Sequence, residues 1–183
     1  MKLSKIALAM GLGMALVSSF ANAEEPSTTT VGNAGHGTVH FKGEIIDAPC
    51  SIAPESVDQT VDLGQVSNSA LKDSGQSSPV FFNIKLQNCD ISTYKTVTAT
   101  WSGTENAEQP GTWGITGTAS GAGIVLRDAS GKQVVLGQET AATTLTANDT
   151  NIEMSAFLKG NGTTANIVPG AFSSTADFVL AYQ

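Results

Sequence analysis

Residues 176–183 read Ala-Asp-Phe-Val-Leu-Ala-Tyr-Gln, with a large apolar side chain at every second position. Ala176, Phe178, Leu180 and Tyr182 fall on one face, and Asp177, Val179, Ala181 and Gln183 on the other. A period of two is the mark of a β-strand that turns one face to a core. Nothing follows this strand in sequence to cover it, so it is expected either to be central or to be paired by something else.

The same alternation recurs upstream, between clusters of turn residues. Residues 38–46 carry Val39, Phe41 and Ile45, and residues 60–63 form a shorter candidate strand. Residues 80–86 (VFFNIKL) alternate and run into Cys89. Residues 96–101, 123–127, 133–136 and 151–158 complete the set, with Asp128-Ala129-Ser130-Gly131 placed as a hairpin turn between the 123–127 and 133–136 runs. Residues 67–74 have room for a helical turn at most. Only 14% of residues are charged, and Thr, Ser, Gly and Ala abound, which suits strands and turns better than helices. Seven or eight short strands without an internal repeat predict an all-β sandwich of one domain.

The N-terminus carries Lys2 and Lys5, then an apolar run over residues 6–20 without an acid, then Ala21-Asn22-Ala23. That pattern reads as a secretory signal peptide over residues 1–23; the run is short for a membrane span and holds Gly11 and Gly13. Without Lys2 and Lys5 the nine basic residues become seven, against sixteen acidic ones, a net charge of −9. This balance excludes nucleic acid and anionic membrane surfaces as partners. Two cysteines, Cys50 and Cys89, in an exported chain read as one disulfide.

Residues 24–35 are rich in Ser, Thr, Gly and Asn and resemble a loose leader. Taken in twos, Val31, Asn33, Gly35, Gly37, Val39 and Phe41 share one face; Gly32, Ala34, His36, Thr38, His40 and Lys42 share the other. Glycines among inward positions make a weak strand. Such a segment suits addition to the edge of a foreign sheet, where backbone bonds supply affinity and alternate side chains supply specificity.

Three runs carry a family resemblance: GTVHFKGEIIDAPC (residues 37–50), VDQTVDLGQV (57–66) and FNIKLQNC (82–89), with Gly170 fourteenth from the C-terminus and Tyr182 penultimate. The chain resembles the major pilins of chaperone–usher fimbriae, close to type 1 and P-type subunits, through essentially its whole length after the signal. The resemblance implies an incomplete Ig-like β-sandwich that lacks its last strand and is completed by a donor strand from a neighbour. It implies a signal peptide over 1–23, a donor extension over 24–41 and a sandwich domain over 42–183. Val31, Val39 and Phe41 of the donor strand would face the groove, with Gly35 or Gly37 at a shallow pocket. Gly170, Phe178, Leu180 and Tyr182 would belong to the groove and to the strand that a periplasmic chaperone zips against. Cys50 and Cys89 would join the first two strands. The implied partners are neighbouring pilin subunits in a head-to-tail polymer, the chaperone and an outer-membrane usher. The implied destination is the cell surface, reached through the periplasm, in a fimbrium that supports adhesion. No cofactor, metal or catalytic residue is implied.

Other patterns carry less. His36 and His40 have no clustered ligands to form a metal site with, and they are the only histidines a Ser-His-Asp mechanism could use. Gly117, Gly121 and Gly123 precede a strand-like run rather than a helix and lack the lysine of a phosphate loop. Asn148-Asp149-Thr150 and Asn161-Gly162-Thr163 match the N-glycosylation pattern but read as turn sequences. Trp101 in a strand and Trp113 in a glycine-rich loop read as core and loop packing rather than as a sugar-binding platform; a secreted carbohydrate-binding sandwich is the alternative function, and a minor subunit of the same fibre type is another. A tip adhesin would need a lectin domain, for which this chain has no room, and a terminator should lack a usable donor strand.

Overall fold

The computed structural model describes residues 37–163 and 166–183. The signal peptide, Val31 and Gly35 lie outside the described residues. The chain divides after Glu44, and residues 45–183 form one compact unit, three residues inside the start expected for the sandwich.

Its elements in chain order begin with β1 (Ser51–Ile52), the single turn α1 (Pro54–Val57) and α2 (Asn68–Leu71), the last running into a 3-10 turn over Lys72–Ser74. Ser67 caps α2 by accepting from the Ala70 N–H at 3.3 Å. Then come β2 (Val80–Cys89), β3 (Thr96–Gly103), β4 (Trp113–Gly114), β5 (Thr116–Gly117) and β6 (Ala122–Asp128). The last four are β7 (Thr143–Thr144), β8 (Asn148–Gly160), β9 (Phe172–Ser173) and β10 (Ala176–Tyr182).

Two sheets face each other. One has the order β1-β2-β8-β6-β4 and the other β10-β3-β7, with every pairing antiparallel. A small third pair joins β5 to β9. The alternation read in the sequence lays Ile84 and Leu86 of β2, and Ile152, Met154 and Ala156 of β8, toward Val97, Ala99 and Trp101 of β3. Phe178, Leu180 and Tyr182 pack against that core from β10. The second half of β8 is buried on both faces, because Phe157 on the outer side lies under the Arg127 guanidinium, 4.5 Å from its ring centre.

Three expected strands differ. Residues 38–46 form none, and Val39 and Phe41 are exposed, since a lone strand has no ladder to hold it. Residues 60–63 are extended but unpaired, with Val61 and Leu63 half-buried. Residues 133–136 contribute one bridge, Arg127 to Gln133, across the predicted turn. That turn is present: the Gly131 N–H donates to Asp128 O at 2.9 Å, and Gly131 takes φ +79.

Cys50 and Cys89 form the disulfide, fastening the start of β1 to the end of β2. They are 39 positions apart, and a closed loop of that size constrains the unfolded chain by about 4 kcal/mol. Cys50→Ser should therefore lower unfolding stability by about 4 kcal/mol in urea; an unchanged midpoint would refute this. Gly170 packs its backbone on residues 118 and 119. A Cβ there would meet Thr118 Oγ1 and stand 2.7 Å from Ala119 N. The neighbouring backbone is tied, with the Ala171 N–H donating to Thr118 Oγ1 at 3.0 Å and the Thr118 N–H donating to Ala171 O at 3.0 Å. Gly170→Ala should cost about 1–3 kcal/mol of stability, read as a drop in Tm. A Tm equal to that of the native chain would show that the contact yields freely.

Candidate functional site

Among the described residues, the strand β10 lies at the edge of its sheet, bonded to β3 on one side only. A strand edge exposes a row of N–H and C=O groups, ready to pair with another strand. Beside this edge runs a groove of about 900 Å³. One wall is made by residues 170–178, the chain leading into and opening β10. The other is residues 56–66. Among the described residues, no backbone hydrogen bond ties residues 58–66 to another segment. Gln59 anchors this wall instead, its amide donating to Asn83 O at 3.2 Å. Gly64, at φ +67, turns the wall, and its N–H donates to Asp62 Oδ1 at 2.8 Å.

The floor is apolar. Trp101, Trp113, Leu126 and Ala156 are buried beneath it, and Phe82, Ile124 and Phe178 are half-buried along it. Trp101 is the hub: Phe82 meets it edge-on with ring centres 6.3 Å apart, and Phe178 lies 5.3 Å away. Trp113 ties its indole N–H to Ser102 O at 3.2 Å. The Trp101 indole N–H has no acceptor among the described residues. Both tryptophans are at most 3% exposed, so neither offers a platform for a sugar.

The groove gathers Gly170 and Phe178. Gly170 lies outside β10, on the segment before β9, and it lines the groove rather than the strand. Leu180 and Tyr182 share the inward face of β10 with Phe178 but lie beyond the groove. There Tyr182 sits 6.4 Å from Tyr94, and burial pushes its hydroxyl pKa upward. Of the expected donor residues, Gly37, Val39 and Phe41 are described, and all three are exposed. Sequence reasoning did not find Trp113, Ile124 and Ala156 as floor residues. Burial of Ile124 and Ala156 was legible from their strands, but their place under a shared opening depends on pairings between distant segments. Among the described residues no group of three His, Cys, Asp or Glu side chains is placed to hold a metal ion.

The fimbrial protein family matches residues 39–183. The chain is 51% identical to the Fimbria A protein of Serratia marcescens over 183 residues, covering all of both chains. It is 46% identical to the Major MR/P fimbria protein of Proteus mirabilis over 184 residues, again covering all of both. A solved chaperone–usher pilus subunit matches the fold with a TM-score of 0.73 at 36% identity, over 82% of this chain and 97% of that one. Sequence and fold are thus shared along most of the chain with pilus subunits, and the chain belongs to the fimbrial protein family, as a structural subunit of an extracellular bacterial pilus.

Proposed function

We propose that this chain is the major subunit of its fibre and polymerises by donor-strand exchange, the N-terminal segment of one copy filling the groove of the next. The observation that carries the reading is the groove itself: an apolar floor between two walls whose backbones, among the described residues, lack partners on the facing sides. An inserted strand would satisfy those backbone groups and cover Phe82, Ile124 and Phe178 together. Residues 24–41 supply the candidate strand, with Val31, Val39 and Phe41 inward and Gly35 or Gly37 at the shallow position. Strand addition of this kind is a general mode, of which chaperone–pilin complementation is a standard example. A head-to-tail contact that does not close on itself propagates as a filament.

The same groove needs cover before assembly, because an open edge beside apolar surface invites aggregation. A periplasmic chaperone strand would fill it there, after export led by residues 1–23, and an outer-membrane usher would pass the subunit to the growing fibre. Deletion of residues 24–41 should give a subunit that accepts a neighbour's strand but offers none. Expressed in place of the native chain, it should give no fibres in electron micrographs. Fibres of unchanged length would refute the donor role.

A further inference from the structure

The groove has a charge pattern as well as a shape. Asp58 and Asp62 line it from one wall and Asp177 from the other, and all three are exposed. Among the described residues the floor contributes no ionisable group, and no Lys, Arg or His lines the groove. Any strand lying there is therefore flanked by carboxylates from both sides and faces no compensating cation.

Between its acidic ends, Glu24-Glu25 and Glu44, the N-terminal segment has the opposite pattern. Residues 26–43 contain no Asp or Glu. They contain Lys42, His36 and His40, all three on the face opposite Val39 and Phe41 when the segment is extended. With Val39 and Phe41 turned to the floor, these three would point outward, level with the rims where the aspartates stand. In a chain whose net charge is −7, a segment of eighteen residues without an acid is an uneven allocation of charge.

We infer that Asp58, Asp62 and Asp177 form an acidic rim that steers the cation-bearing N-terminal segment of a second copy into the groove. The inference rests on the donor-strand reading and adds a recognition element to it. Exposed charge pairs contribute little to the strength of a finished contact. Their effect lies in capture: complementary potentials raise association rates and are screened by salt. The rim therefore sets how fast a strand is caught, and the apolar floor sets how long it stays.

The test uses the mature full chain and a fluorescent synthetic peptide of residues 26–43, with association and dissociation rates read separately. Association should slow about tenfold from about 50 to about 500 mM NaCl, with dissociation nearly constant. The triple variant Asp58→Asn, Asp62→Asn, Asp177→Asn should bind at the slow rate at every salt concentration. A peptide carrying His36→Gln, His40→Gln and Lys42→Gln should do the same on the native chain, a comparison that does not depend on how a variant folds. Binding that is equally fast with all of these changes overturns the acidic rim and leaves donor-strand exchange standing. A native peptide that binds no better than a scrambled one overturns both.

Discussion

A β-sheet edge carries unpaired amide and carbonyl groups, and apolar surface next to it loses free energy to water. In this subunit the two coincide along β10. Its inner side is bonded to β3 over seven successive residue pairs, from Ala176 with Gly103 to Tyr182 with Val97. At its start, over residues 176–178, its outer side borders the groove, across which residues 58–66 also lack backbone partners among the described residues. The rest of the molecule anchors both sides of that opening. The disulfide fixes β1 to β2, and the wall of residues 56–66 continues directly from this corner. Ser56 strengthens the junction, its hydroxyl accepting from the Lys85 N–H at 3.0 Å. On the far side, the tight contact of Gly170 with residues 118 and 119 anchors the chain that leads into β10. Anchoring both walls before insertion lowers the ordering cost of filling the slot between them.

Part of this was legible in the sequence, for reasons that differ by element. β10 occupies residues 176–182, as its alternation indicates, because one face meets the core and the other meets solvent along the whole strand. β2 and β8 were legible for the same reason, and both run past the predicted ends, since pairing in a sheet extends strands beyond their apolar part. Two-residue strands such as β4, β5, β7 and β9 carry no period and escape detection. The one-turn α1 was missed because four residues cannot display a helical face, although Pro54 at its start is a typical first-turn residue. Trp113 read as loop packing, yet it pairs with Ile124 and is 1% exposed, a consequence of a long-range partner that local pattern cannot show.

The candidate site was legible in its parts and not in its assembly. Phe178 was identifiable from its phase on β10, and the run at 57–66 stood out as a family feature. That residues 56–66 form the wall opposite β10 depends on tertiary placement. So does the position of Trp101 between Phe82 and Phe178. Residues 38–46 show the converse. Their alternation is genuine, with Val39, Phe41 and Ile45 in phase, yet no strand forms there because pattern supplies a face and not a partner. A segment with strand patterning and no ladder of its own is what an exchanged strand requires before exchange.

Speed and permanence of assembly then come from different groups of atoms. An inserted strand would make backbone bonds along two walls and cover Phe82, Ile124 and Phe178 at once, so leaving requires these to break together. That cooperativity gives kinetic persistence to a fibre even where no single contact is strong. Charges at the rim act earlier, before any backbone bond has formed, when only long-range forces are felt. A subunit must be caught quickly once its groove is free, because the open edge is also open to wrong strands. Aspartates on both rims disfavour acidic segments and draw cationic ones, which favours this chain's own N-terminal segment over the acidic remainder of its surface. The same arrangement lets the finished joint lose its electrostatic term in salt without losing hold, since the floor and the backbone ladders are not screened.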